Sequence, residues 1–197
     1  MRIFLLNDKN KSINSNEYCR QFYTMNKKEF LNAISNGKVD IVQAFLDTLS
    51  TSKADYCVIG GLAVNAYAEP VVSLDLDIVV AADNIETVIE SVESHFRARR
   101  FTHRVNLSTD MSDLRIQLQT DSRYQDFISR AATHTVLGYK MKVASVEDVL
   151  QGKIWAYLDD QRRKSKRQKD LADIARLIEV YPSLTDRLPA SVKERIE

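Results

Sequence analysis

The stretch SLDLDIVV, Ser73 to Val80, leaves a folding chain little choice. Leu74, Leu76 and Ile78 alternate with Ser73, Asp75 and Asp77, and only the period of two of a β-strand separates the apolar set from the acidic one. A sheet that buries the leucines must turn Asp75 and Asp77 toward one common volume. Two carboxylates held that close repel, so one is driven toward protonation unless a cation lies between them. Oxygen-only donors of this kind suit a hard ion such as Mg²⁺, which binds through one or two carboxylates and completes its shell with water and phosphate oxygens.

A second feature stands just upstream. Tyr56 to Ile59 is a short apolar run ended by Gly60-Gly61, in a chain with only five glycines. Leu62, Ala63, Ala66 and Tyr67 then recur at helical spacing until Pro70. At a strand-to-helix turn, residues without β-carbons let backbone N–H groups approach a phosphate, and the helix that follows offers its positive end. Taken alone, a glycine pair reads as a tight turn and an Asp-x-Asp pair as an exposed strand edge. In this order and spacing they describe an anion pocket beside a cation site.

Around this centre the chain alternates helix and strand. From an N-cap at Asn26, Phe30, Ile34, Ile41, Val42, Phe45, Leu46 and Leu49 follow the spacing of an amphipathic helix, split near Gly37. Asp83 is read as the cap of a helix through His95, and strands are expected near residues 101–106 and 114–119. A helix near Tyr124 to Ala132 and a strand near Tyr139 to Val143 follow. Ser145 and Asp148 make a variant capping box for a helix over Val146 to Tyr157, and another helix runs over Lys166 to Glu179. A weak helical tail covers Leu184 to Ile196. The fold class is α/β, a mixed sheet covered by helices with a helical C-terminal portion. The expected organisation is a leader or peripheral segment over residues 1–25, an α/β domain over 26–144 and a helical portion over 145–197 packed on it, with Met25 as an alternative start.

Net charge is only +1, so attraction to a polyanion must come from local clusters. The cluster is RRKSKRQK, Arg162 to Lys169, with six cations in eight residues, and Lys153 lies one helix earlier. A charge run of this kind is ordinarily a solvated helix start; here it can instead wall a phosphate cleft. No aromatic series is interleaved with it, which makes nucleic-acid binding a minor reading. Asp170 and Asp173 are explained by intrahelical ion pairs with Lys169 and Arg176. Cys19 and Cys57 form no disulfide framework, and His95, His103 and His134 share no metal-ligand spacing with them. No apolar stretch is long enough to span a bilayer, and a cytoplasmic protein without membrane contact is expected.

Gly60-Gly61 followed after a helix by Leu74-Asp75-Leu76-Asp77-Ile78 resembles the signature of the DNA polymerase beta type nucleotidyltransferase superfamily. The resemblance is nearer to the small bacterial AbiEii-type and minimal nucleotidyltransferases, and VASVEDVLQGKIWAY with KRQKDLADIARLIE is similar to that group's C-terminal segment. It implies a Mg²⁺- or Mn²⁺-dependent transfer of a nucleoside monophosphate from a nucleoside triphosphate to an acceptor hydroxyl of RNA, protein or a small molecule. Asp75 and Asp77 would hold metal; Gly60, Gly61, Ser73, Lys153 and Lys169 would hold nucleotide phosphate. Two positions depart from the pattern. Gln117 stands where the family has a third carboxylate, with Asp113 and Asp121 as substitutes, and Val71 replaces an expected Arg. These departures leave a rival expectation, a weakened nucleotide-binding or protein-interaction member of the fold, part of a toxin–antitoxin pair. A protein partner or a homo-oligomer goes with that reading.

Overall fold

The computed structural model describes residues 26–196; the leader, Cys19 and the Met25 start lie outside the described residues. Helix α1 (Lys27–Ile34) opens on a capping box in which the Asn26 side chain accepts from Glu29 N and the Glu29 carboxylate accepts from Asn26 N. After the break near Gly37, α2 (Ile41–Thr51) starts on Asp40, whose carboxylate accepts from Gln43 N. Strand β1 (Tyr56–Ile59) leads into the five-residue α3 (Gly60–Val64), then β2 (Asp75–Val80). A 3₁₀ turn at Ala82–Asn84 precedes α4 (Ile85–Val92). Next come β3 (Arg97–Phe101), β4 (Arg104–Thr109) and β5 (Ser112–Gln119), a 3₁₀ helix (Ser122–Arg130), and the hairpin of β6 (Ala132–Val136) with β7 (Tyr139–Val143). Helices α5 (Val146–Leu158) and α6 (Lys164–Val180) pack together, and a 3₁₀ turn (Pro182–Arg187) and α7 (Ala190–Lys193) close the chain.

Seven strands form one mixed sheet in the order β3-β4-β5-β2-β1-β7-β6. Strand β2 runs parallel to β5 and antiparallel to β1, so it sits at the centre with a neighbour on either side. Leu76, Ile78 and Val80 of β2, Val105 and Leu107 of β4, and Leu114, Ile116 and Leu118 of β5 are buried in the core together with α2 and α4, where Phe45 meets Phe96 edge-on at 6.2 Å. Side chains of this size each contribute roughly 1.5–3 kcal/mol when withdrawn from water. A one-residue slip of β2 would expose them and drive both aspartates into the core, so the hydrophobic face fixes the direction of the acids.

Several elements differ from the sequence reading. One strand was expected over residues 101–106; the chain instead makes the hairpin β3–β4 turning at Thr102-His103, because RARRF is exposed throughout and carries no alternation to read. Strand β6 is likewise exposed along most of its length and gave no pattern. The Ser122–Arg130 segment is 3₁₀ rather than α, and Asp83 lies within the turn before α4 and makes no side-chain cap. Ser145 caps α5 as expected, accepting from Asp148 N.

Candidate active site

The sheet register assembles the centre. Ile59 pairs with Asp77 across β1–β2, so the chain turns at Gly60 directly beside that carboxylate. Gly60 has φ +69°, and a β-carbon added there would lie 2.1 Å from Asp77 Oδ2. Both conformation and space therefore demand glycine. Gly61 is looser: a β-carbon would stand 3.4 Å from Ser73 Oγ and 3.8 Å from Lys169 Nζ. The helix expected to follow the glycines has only five residues, so its dipole adds little, and the positive character of the site comes from side chains.

Asp75 and Asp77 share the cleft face of β2 and differ in their surroundings. Arg115 Nη2 lies 2.8 Å from Asp75 Oδ1, and Lys166 Nζ 3.4 Å from Asp75 Oδ2. The side chains of Arg115 and Lys166 are 56% and 37% exposed, so each pair is worth about 0–1 kcal/mol and is readily exchanged. Neither ion pair reaches Asp77. Burial pushes its carboxyl up to about 6, assisted by the charge of Asp75 and opposed by Lys153, Arg162 and Lys166. A carboxylate desolvated against a glycine and left without a counter-ion fits a cation, although no cluster of three or more His, Cys, Asp or Glu occurs among the described residues. Two carboxylates with room for water suit a hydrated divalent ion such as Mg²⁺.

Gln117 pairs with Asp77 across β2–β5, and Asn106 pairs with Gln117 across β4–β5. The register thus puts one neutral amide beside Asp77 and a second one strand further out. Asp113 lies at the other end of β5, where its carboxylate accepts from the Asn36 side chain, and Asp121 is held by Arg123. Neither of these acids lines the cleft with Asp75 and Asp77, whereas Gln117 does. In the sequence, Arg115 shares the parity of Gln117 along β5, a signal that could have placed it at the site. Arg104 and Asn106 could not be placed without the hairpin.

The opposite wall comes from α5 and α6. The cleft, of about 440 Å³, is lined by seven cations, Arg104, Arg115, Lys153, Arg162, Arg163, Lys166 and Lys169, against the three carboxylates of Asp75, Asp77 and Asp170. That excess favours a polyanion. Lys153 is held differently from the others: its Nζ lies 3.0 Å from Asp170 and 2.6 Å from Asp173, all three side chains being nearly fully buried. Burial works against its charge, yet the two carboxylates keep its ammonium above the ordinary lysine range. Asp170 also accepts from Arg162 Nε at 2.7 Å, and Asp173 from Arg176 at 2.7 Å. The intrahelical pairing expected for these acids holds for Asp173 with Arg176; the pairs with Lys153 and Arg162 instead tie α6 to α5 and the loop after it. Ser73 is buried, its Oγ donating to Asp75 O at 3.2 Å, and Lys169 faces the cleft near Gly61.

The fold and the family have counterparts elsewhere. The model of the family described as "Nucleotidyl transferase AbiEii toxin, Type IV TA system" matches residues 44–197. No curated protein matches this chain. Among solved structures, the lincosamide antibiotic adenylyltransferase LnuA bound to lincomycin is similar with a TM-score of 0.52 at 13% identity, over 72% of this chain and 98% of that one. ANT(2″)-Ia in complex with adenylyl-2″-tobramycin is similar with a TM-score of 0.57 at 14% identity, over 80% of this chain and 97% of that one. At such identities the likeness is one of fold.

Proposed function

Because the chain belongs to the AbiEii nucleotidyl transferase family, we propose that it moves a nucleoside monophosphate from a nucleoside triphosphate to an acceptor hydroxyl, with Asp75 and Asp77 holding a divalent cation. The observation that carries this is the carboxylate of Asp77, in no ion pair among the described residues and seated on Gly60, with Asp75 beside it and seven cations around the cleft.

Gly61, Ser73 and Lys169 converge where the β- and γ-phosphates would lie, and Lys166 and Arg115 can pass from Asp75 to phosphate oxygens at little cost. The acceptor oxygen bonds to the α-phosphorus while the bond from that phosphorus to the bridging oxygen breaks. Pyrophosphate leaves with the electron pair toward Lys169 and Arg163, and the hydroxyl proton passes to solvent, since Gln117 is no base. Bound Mg²⁺ or Mn²⁺ would supply charge stabilisation on the attacking and leaving oxygens. Lys153, fixed by two aspartates, positions α6 and adds its field to the cleft without leaving its partners.

The test is incubation of the protein with labelled triphosphates, Mg²⁺ or Mn²⁺, and a mixture of RNAs, proteins and small hydroxyl compounds. Label should enter an acceptor with the wild type and not with the double variant Asp75→Asn/Asp77→Asn; equal incorporation by both would refute the assignment. Gln117 in register with Asp77 favours one second reading, a member that binds nucleotide and acts through a protein partner. It predicts tight, metal-dependent triphosphate binding without transfer. The type IV toxin–antitoxin description of the family supports an antitoxin counterpart for either reading. No described helix is long and apolar enough to cross a membrane.

A further inference from the structure

A second groove, of about 670 Å³, opens beyond the cleft between the β3–β4 hairpin and the C-terminal end of α5, and Arg104 and Arg162 line both. Gly61, Ser73 and Lys169 line the cleft and not the groove. In an in-line displacement the acceptor enters opposite the leaving group. With pyrophosphate at the Gly61 end, the groove lies on the acceptor's side.

Its lining is specific. Arg123 is locked to Asp121, Nε at 3.0 Å and Nη2 at 2.7 Å from Oδ2, and its guanidinium lies 5.0 Å from the centre of the Trp155 ring, itself stacked on Phe127. Two of its five N–H donors are thus engaged while its side chain stays 59% exposed, which leaves a fixed planar cation backed by an indole. Such a plane can stack on a nucleobase. Phe101, 38% exposed, stands across the groove with Arg104 over its ring at 4.8 Å and Arg99 at 5.0 Å, and no ion pair among the described residues occupies Arg104. An aromatic surface, a stacked guanidinium and an unclaimed cation are the parts of a single-stranded nucleic-acid site. Phe101 and Trp155 lie 54 positions apart in the chain, which is why no aromatic series was visible in the sequence.

We propose that this groove is the acceptor subsite and takes the terminal nucleotide of a single-stranded nucleic acid, its base on the Arg123 plane and its phosphate on Arg104. The inference rests on the cleft being the transfer centre. The experiment separates the two: anisotropy of a short fluorescein-labelled oligoadenylate, in ribo and deoxyribo forms, is measured without triphosphate, and binding of a labelled triphosphate with Mg²⁺ is measured apart. Arg123→Leu should weaken oligonucleotide binding by about tenfold, the scale of one lost base stack, Phe101→Ala, which removes the ring that holds Arg104, should weaken it by less, and both should leave triphosphate affinity unchanged. Arg123→Lys keeps the charge and can keep the Asp121 pair, so it should lose affinity as Arg123→Leu does. Preference for the ribo form would identify RNA, and equal binding a terminus of either kind. Wild-type protein that holds neither form, Arg123→Lys binding as wild type does, or an equal loss of triphosphate affinity in these variants would each overturn the acceptor assignment. Loss of triphosphate binding in Asp75→Asn/Asp77→Asn with oligonucleotide binding intact would support both sites independently.

Discussion

Replacing Asp77 with Asn should stabilise the protein while destroying its site. Burial lifts this carboxyl from an ordinary 3.8 to about 6 in the folded chain. The difference is about two pKa units, and at 1.36 kcal/mol per unit the folded state loses about 3 kcal/mol by ionising Asp77 in place of an exposed acid. The sign follows from proton binding. Between pH 3.8 and about 6 the folded protein keeps a proton that the unfolded chain has released, so stability from this group is full below that window and gone above it. Asn cannot ionise and escapes the loss. Urea unfolding in EDTA should therefore show wild type and Asp77→Asn within error near pH 4, and the variant ahead by about 3 kcal/mol at pH 8, or ~6–12 °C in Tm for a chain of this size. Adding Mg²⁺ at pH 8 should narrow the gap by stabilising only the wild type. A variant no more stable than wild type at pH 8 would refute the claim that Asp77 is an acid whose desolvation outweighs the nearby cations.

Two other substitutions probe the frame of the site. Gly60→Ala places a β-carbon 2.1 Å from Asp77 Oδ2 at a φ of +69°, and should cost about 1–3 kcal/mol in denaturant unfolding and abolish metal-dependent triphosphate binding. Lys153→Met strips the buried cation from Asp170 and Asp173; because Arg162 and Arg176 still hold those acids, the loss should sit near the lower end of the usual range, at about 3 kcal/mol by urea unfolding, and Asp170→Asn in the same chain should recover part of it.

The legible part of this molecule was the part with a period. Strand β2 could be read because burial on one face forces strict alternation, and the capped helices α1 and α5 could be read because Asn26 and Ser145 leave local hydrogen-bond signatures. Strands β3 and β6 could not, since edge strands exposed on both faces are under no pressure to alternate. The same split governs the site. Gly60, Asp75 and Asp77 lie close together in sequence and announce themselves, whereas Arg104 and Asn106 reach the cleft only through the β3–β4 hairpin. Asp170 and Asp173 show the converse failure. A local explanation by helical ion pairs was available, and it hid the long-range partners, Lys153 and Arg162.

Gln117 has a physical reading beyond the loss of an acid. It pairs with Asp77 on the adjacent strand, and neighbouring strands run about 4.8 Å apart. A carboxylate at that register would repel Asp77 by about 3 kcal/mol at an effective dielectric of ~20, which is about two further pKa units. Starting from about 6, Asp77 would then hold its proton through neutral pH unless a cation were already bound. With the neutral amide, Asp77 is ionised at pH 7 without any metal, so on the proposed reading the site would capture its first cation at the expense of a base. Gln117→Glu should accordingly be less stable than wild type in EDTA at pH 8, by about 3 kcal/mol in urea unfolding. Saturating Mg²⁺ should recover the lost stability, because the extra carboxylate strengthens binding once the ion is present. Equal stability of the two proteins in EDTA would mean that position 117 and Asp77 do not share one electrostatic volume, and the account of Asp77 as the cation-capturing acid would fail with it.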